Sequence, residues 1–242
     1  MTSALEQLLL PAECLLCRQL FSFRHSQRLV CDVCRHRWRS VAPPWCEHCG
    51  QPGPHFGPCR VCAGWPAALV RARSAVWLDA GARVMVHALK YGGWARVAED
   101  LAEVAARRLP APPPGAVLVP VPLAPHRLRR RGYNQSALLA AALATRWARP
   151  VRADLLRRAR DTATQTALTP AARVANVAGA FATARNVERE TRNGDPRPTL
   201  VLVDDVFTTG ATLAECARAL AGAGWDRIEA VTFGRAVIPD FS

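Results

Sequence analysis

The chain has 242 residues, half of them hydrophobic, and a formal charge of +13. That length allows one large domain or a medium domain with a small appendage, and no apolar run approaches the ~20 residues of a membrane span. The charge favours anionic partners such as phosphates or nucleic acid; arginine supplies nearly all of it, since Lys90 is the only lysine. The opening stretch MTSALEQLLLPAEC carries Glu6 and Glu13 and has no basic n-region. It does not read as a signal peptide, and the expected location is the cytoplasm.

The first feature along the chain is a set of four CxxC pairs: Cys14/Cys17, Cys31/Cys34, Cys46/Cys49 and Cys59/Cys62. Each pair puts two thiolates on one tight turn, two corners of a tetrahedral zinc site, and two pairs complete a site. The spacing allows a sequential pairing, which makes a double zinc ribbon, and also a cross-braced one. A disulfide framework would suit a secreted chain. His25, His36, His48 and His55 lie among the cysteines; with all eight thiols present they are surface or supporting residues. A segment this small has little core, so bound metal would supply its folding energy. Arg35, Arg37, Trp38 and Arg39 interleave cations with a ring, a pattern single-strand binders use. Pro43, Pro44, Pro52, Pro54, Pro58 and Pro66 keep this part irregular.

From about residue 70 the texture changes. Residues 74–78 read as a strand, 82–93 as a helix ending at Gly92 and Gly93, and 96–109 as an amphipathic helix. Residues 116–122 are a short buried strand, and 134–148 a helix with Asn134 as N-cap. A polar stretch over 157–178 lacks apolar periodicity. Residues 199–206 are a strand, 212–224 a helix holding the ninth cysteine, Cys216, as a small core residue, and 227–237 the last strand. Strands alternating with helices predict a parallel sheet covered on both faces. The expected division is 1–66 for the cysteine segment and 67–242 for the α/β domain.

The strand at 199–206 ends in two adjacent acids, Asp204 and Asp205, followed by Thr208, Thr209, Gly210, Ala211 and Thr212. Like charges side by side oppose each other's ionisation, so the pair needs a use. Ligands of open parallel sheets sit at the carboxyl ends of strands, and a helix N-terminus attracts phosphate. Two acceptors for vicinal hydroxyls beside a phosphate cradle fit a ribose 5-phosphate.

VLVDDVFTTGATL resembles the PRPP-binding motif of type I phosphoribosyltransferases. ALKYGG (88–93), VPVPLAPHRLRRRGYNQSALLA (119–140), TQTALTPAARVANVAGAF (164–181) and the double ribbon are similar to segments of the ComF family. The resemblance implies a fold of the α/β class, a type I phosphoribosyltransferase-like parallel sheet with helices on both faces, preceded by a small zinc-ribbon domain. It implies that Asp204 and Asp205 hold the ribose hydroxyls and serve the catalytic step, and that Thr208 through Thr212 hold the 5′-phosphate. Arg127, Arg129, Arg130 and Arg131, on the loop after the strand at 116–122, would face the pyrophosphate. Lys90 would reach a phosphate as a point charge. Residues 157–178, with Thr162, Thr164, Gln165 and Thr166, would form a hood over the site. The implied cofactors are two structural Zn²⁺ ions and Mg²⁺ bound with PRPP. The implied setting is natural competence and DNA uptake, with single-stranded DNA and a helicase-like partner. One departure stands out: 6-oxopurine salvage enzymes carry an acid where this chain has Thr208, which argues against hypoxanthine or guanine as acceptor. Two other readings stay open, a non-catalytic module binding single-stranded DNA or a partner under control of PRPP, and a salvage enzyme for an unusual base.

Overall fold

The computed structural model describes residues 12–22, 28–53, 57–161, 170–184 and 197–237. A short helix, α1 (Asp32–Arg37), lies in the cysteine segment. The α/β part then runs β1 (Leu69–Trp77), α2 (Ala80–Tyr91), α3 (Val97–Arg108), β2 (Val117–Pro120), α4 (Pro125–Arg131) and α5 (Gln135–Trp147). It continues through β3 (Leu156–Arg158), α6 (Pro170–Val177), β4 (Phe181–Thr183), β5 (Leu200–Phe207), α7 (Ala211–Gly222) and β6 (Ile228–Arg235).

Four strands form one parallel sheet in the order β1-β6-β5-β2. β6 and β5 are central, which explains their nearly unbroken apolar runs: both faces of a parallel sheet are covered. The period-two alternation of a strand then sorts the side chains. Val201, Val203, Val231 and Phe233 join α2, α3 and α5 in one core, while Leu200, Leu202, Ile228 and Ala230 join α7 and the small β3–β4 hairpin in the other. Beyond β2 the chain leaving α5 returns alongside, the Leu118 N–H donating to the Pro150 carbonyl and the Arg152 N–H to the Leu118 carbonyl, each at 2.9 Å.

Three stretches differ from the sequence reading. β1 begins at Leu69, five residues before the expected start, because Leu69 and Ala72 are buried against the α7 face. The arginine-bearing loop is the helix α4, begun by Pro125 in the first turn and ended by Gly132 at φ 82°, the left-handed stop that glycine supplies. The polar stretch 157–178 holds part of a strand, β3, and the helix α6; its pairing partner β4 lies beyond it, so no local alternation announces the hairpin.

The cysteine segment is built into both cores. Cys14, Cys31, Cys34 and Trp38 belong to the α3 side, and Cys49 to the α7 side. The segment also covers the outer edge of β1. The Ala72 N–H donates to the His48 carbonyl at 2.6 Å and the Trp77 N–H to the Arg39 carbonyl at 2.9 Å. Covering an edge strand in this way satisfies backbone groups that would otherwise invite further pairing.

Candidate functional site

The eight CxxC cysteines gather into two sets, Cys14/Cys17/Cys31/Cys34 and Cys46/Cys49/Cys59/Cys62, with the Sγ atoms of each set within 4.8 Å of one another. The pairing is therefore sequential. Four thiols converging on one point fit a tetrahedral Zn²⁺ site. Cys14 Sγ accepts the Cys31 N–H and Cys31 Sγ the Cys34 N–H, both at 3.4 Å, and such bonds favour thiolate. The His36 ring meets the Asp32 carbonyl at 2.7 Å, and His48 meets the sheet through its backbone, so neither replaces a ligand; His25 and His55 lie outside the described residues.

The arginine–tryptophan run after Cys34 does not form the stacking platform that its composition suggests. Trp38 is 3% exposed and meets Phe233 edge-on, ring centroids 5.3 Å apart. Arg35 is buried on α1 and donates to Asp100 and, at 2.6 Å, to Glu103 of α3. Arg108 of α3 returns two bonds, to the Trp38 carbonyl at 2.6 Å and the Arg35 carbonyl at 3.1 Å. These groups join the first ribbon to α3, a long-range contact that composition cannot reveal.

Asp204 and Asp205 lie in the carboxyl-terminal half of β5, which runs on through Val206 to Phe207. Successive strand residues point to opposite faces, so the two carboxylates have different surroundings. Asp204 is half-buried; its Oδ1 accepts the Ser136 hydroxyl at 2.8 Å and the Asp205 N–H at 2.9 Å. Burial, reinforced by the Asp205 charge, pushes the Asp204 carboxyl up to about 7. Asp205 is 2% exposed, with the Lys90 ammonium 2.5 Å from Oδ2. That contact is ionic and poorly angled for a hydrogen bond. Burial works against the Lys90 charge, but Asp205 and then Asp204 outweigh it and hold the ammonium above its ordinary range. The lone lysine thus sits on the acid pair.

Residues 208–210 form the turn, with Thr208 and Thr209 partly exposed. Gly210 starts α7 at φ 75°. A Cβ there would meet the Trp65 ring at 2.7 Å and the Phe207 ring at 2.9 Å, so only glycine fits by both backbone and space. Ala211 and Thr212 begin the helix, whose first amides have no acceptor within it. Arg129, Arg130 and Arg131 end the exposed helix α4, with Arg127 one turn earlier. Arg131 stacks 5.3 Å over Tyr91 and donates to Gln135 Oε1. Thr162, Thr164, Gln165 and Thr166 of the expected hood lie outside the described residues.

Within Tyr133–Ser136 sequence reasoning assigned only the Asn134 cap, yet the segment wires the site together. The Tyr133 hydroxyl donates to the Leu89 carbonyl at 2.6 Å, fixing the turn of α2 that carries Lys90. The Asn134 side chain donates to the Val121 carbonyl and accepts the Ser136 N–H, both at 3.0 Å, which caps α5 and holds the exit of β2. Ser136 then reaches Asp204. Only the Asn134 cap has a local signature; the other contacts join residues 13, 44 and 68 positions apart.

Residues 5–63 match the family described as "Double zinc ribbon domain". Over 220 residues the chain is 33% identical to the "DNA utilization protein YhgH" of Salmonella typhi, covering 88% of this chain and 92% of that protein. The chain belongs to the ComF family. Further ComF relatives are the "Competence protein F" of Haemophilus influenzae, 38% identical over 120 residues (49% of this chain, 50% of that protein), and the "Competence protein ComFC" of Bacillus subtilis, 27% identical over 227 residues (86% and 88%). No helix among the described residues of this ComF chain is long and apolar enough to cross a membrane.

Proposed function

We propose that the carboxyl end of β5 binds PRPP, and that this ComF chain is a phosphoribosyltransferase acting in the cytoplasm in DNA uptake. The observation that carries the reading is the acid pair itself: two carboxylates held in different, defined orientations near the end of a strand whose following turn opens a helix at a left-handed glycine. Asp204 and Asp205 accept the 2′- and 3′-hydroxyls. Thr208, Thr209, Gly210, Ala211 and Thr212 receive the 5′-phosphate through hydroxyls and helix amides. Lys90 neutralises Asp205 and keeps donors for a phosphate oxygen, and Arg127, Arg129, Arg130 and Arg131 face the pyrophosphate. The ribbon segment, 1–66, buttresses the transferase-like domain, 67–242.

The reaction is substitution at the anomeric carbon. The bond to pyrophosphate breaks with its electron pair leaving on oxygen, positive charge develops on the ribose ring, and the acceptor closes the new bond. The ionised acids stabilise that charge, and the fixed ribose aligns the carbon for attack. Among the described residues the only groups of three or more metal-ligating side chains are the two cysteine sets. Mg²⁺, if bound with PRPP, would be held mainly by phosphate oxygens and would supply charge neutralisation to the leaving group. Thr208 offers no carboxylate to a purine, so a 6-oxopurine acceptor is disfavoured.

The names of the relatives support a DNA-linked role; the partners proposed with it, from the basic charge and the family resemblance, are single-stranded DNA and a helicase-like protein. A second reading, binding without turnover, draws on a groove of about 440 Å³ beside β1 where Trp45, Arg71, Arg73 and Arg108 line one cavity with Glu47 and apolar residues such as Val41 and Leu109; a ring beside cations suits single strands, although Arg73 and Arg71 also pair with Glu47 and Glu229. Calorimetric titration of PRPP into zinc-loaded protein, with and without Mg²⁺, tests the first reading. Saturable binding lost in the Asp204→Asn/Asp205→Asn protein supports it, and absence of binding to folded protein refutes it. Pyrophosphate release on addition of candidate acceptors separates the two readings.

A further inference from the structure

The carboxyl end of the sheet and the second cysteine set meet at one buried guanidinium. Arg235, the last residue of β6, is 1% exposed. Its Nη1 donates to the Cys49 carbonyl and its Nη2 to Gln51 Oε1, both at 2.8 Å. Its Cζ lies 4.1 Å from the centre of the Phe207 ring, the residue where β5 gives way to the 208–210 turn. These partners are neutral. Cys49, whose carbonyl Arg235 holds, belongs to the second cysteine set, and a tetrathiolate site on a divalent ion carries a net charge of about −2.

The other wall of the turn has the same anchor. Trp65 follows Cys62 by three residues and stands 6.1 Å from Phe207. Arg218 of α7 donates to the Gly64 carbonyl at 2.6 Å, tying the helix after the turn to the same stretch of chain. Phe207 and Trp65 together fill the space a Gly210 side chain would need. The first cysteine set makes none of these contacts, since it packs into the other core.

We propose that Arg235 and Trp65 are positioning residues through which the Cys46/Cys49/Cys59/Cys62 set shapes the 207–211 turn, so that metal occupancy of that set and ligand occupancy of the turn are linked. The proposal rests on the reading of the turn as a phosphate site. Linkage is reciprocal: if metal improves the turn for its ligand, the ligand holds the metal by the same factor.

Amide hydrogen exchange over residues 205–213 of the zinc-loaded full chain tests this, comparing wild type with Arg235→Met and Arg235→Lys. The methionine variant keeps the buried bulk and loses both hydrogen bonds. The expected result is two zinc ions still bound, exchange across the turn about tenfold faster and PRPP affinity about tenfold weaker, with partial rescue by lysine. If Arg235→Met fails to fold, Trp65→Phe carries the same exchange measurement. In wild type, zinc release to a chromogenic chelator is followed with and without saturating PRPP, and PRPP should slow one of the two release phases several-fold. Exchange unchanged in the variants, or bound PRPP that slows neither phase or both equally, overturns the linkage. If PRPP does not bind wild type at all, the reading of the acid pair fails, and turn exchange alone decides the coupling.

Discussion

Asparagine substitutions of Asp204 and of Asp205 should have opposite effects on stability. Raising the Asp204 pKa from 3.8 to about 7 corresponds to about 4 kcal/mol against its ionised form once the pH exceeds both values. The native state holds this proton more tightly than the unfolded chain does. The contribution of Asp204 to stability therefore falls as pH rises from about 4 to about 7 and levels off above that. The amide introduced by Asp204→Asn retains an oxygen for Ser136 and the Asp205 N–H but carries no charge. Allowing for solvent on the open side of the half-buried carboxylate, Asp204→Asn should stabilise by about 1 kcal/mol at a pH of about 5.5 and about 2–3 kcal/mol at about pH 8.5. For a domain of this size each kcal/mol moves the melting temperature by about 2–4 °C. Asp205→Asn instead strips the partner from a half-buried ammonium and should cost about 1–3 kcal/mol. Thermal melts of both variants across this pH range, at fixed free zinc, make the comparison. The reasoning is refuted if Asp204→Asn melts at or below wild type at the alkaline end, or if its margin does not widen with pH.

Gly210→Ala would force a side chain into the left-handed region and into two rings; it should destabilise by about 2 kcal/mol or more and abolish PRPP binding by calorimetry. Ser136→Ala removes one donor to Asp204. It should cost about 1 kcal/mol in denaturant melts and weaken PRPP about fivefold or more, and an unchanged affinity would remove Ser136 from the site. Reversing Arg129, Arg130 and Arg131 to glutamate leaves the cores untouched. Zinc content should hold and the melting temperature fall by only a few degrees, from loss of the Arg131 contacts to Tyr91 and Gln135, while binding of single-stranded DNA, measured by anisotropy, weakens and loses salt dependence.

Local pattern was enough where a residue's role depends on its near neighbours. The CxxC turns, the alternation of strands and helices, the Asn134 cap and the acid–threonine–glycine turn are all legible within a dozen residues, because a thiolate pair, a helix cap or a strand end is set by spacing and periodicity. Which CxxC pairs share a site is not local, and spacing left two pairings open. Trp38 and Arg35 carry the composition of a binding strip, yet Phe233 and Asp100, distant in sequence, draw them into an interface.

The amino-acid sequence by itself determined two cysteine-rich sites, a parallel α/β sheet and an acid pair at the end of a central strand. The tertiary structure alone decided what those acids touch. Lys90 faces Asp205 because α2 ends beside β5, Ser136 faces Asp204 because α5 packs on β5 and β2, and Arg235 meets Cys49 because the second ribbon covers the edge of β1. Each contact depends on where whole elements come to rest, which long-range packing sets and short-range pattern does not encode.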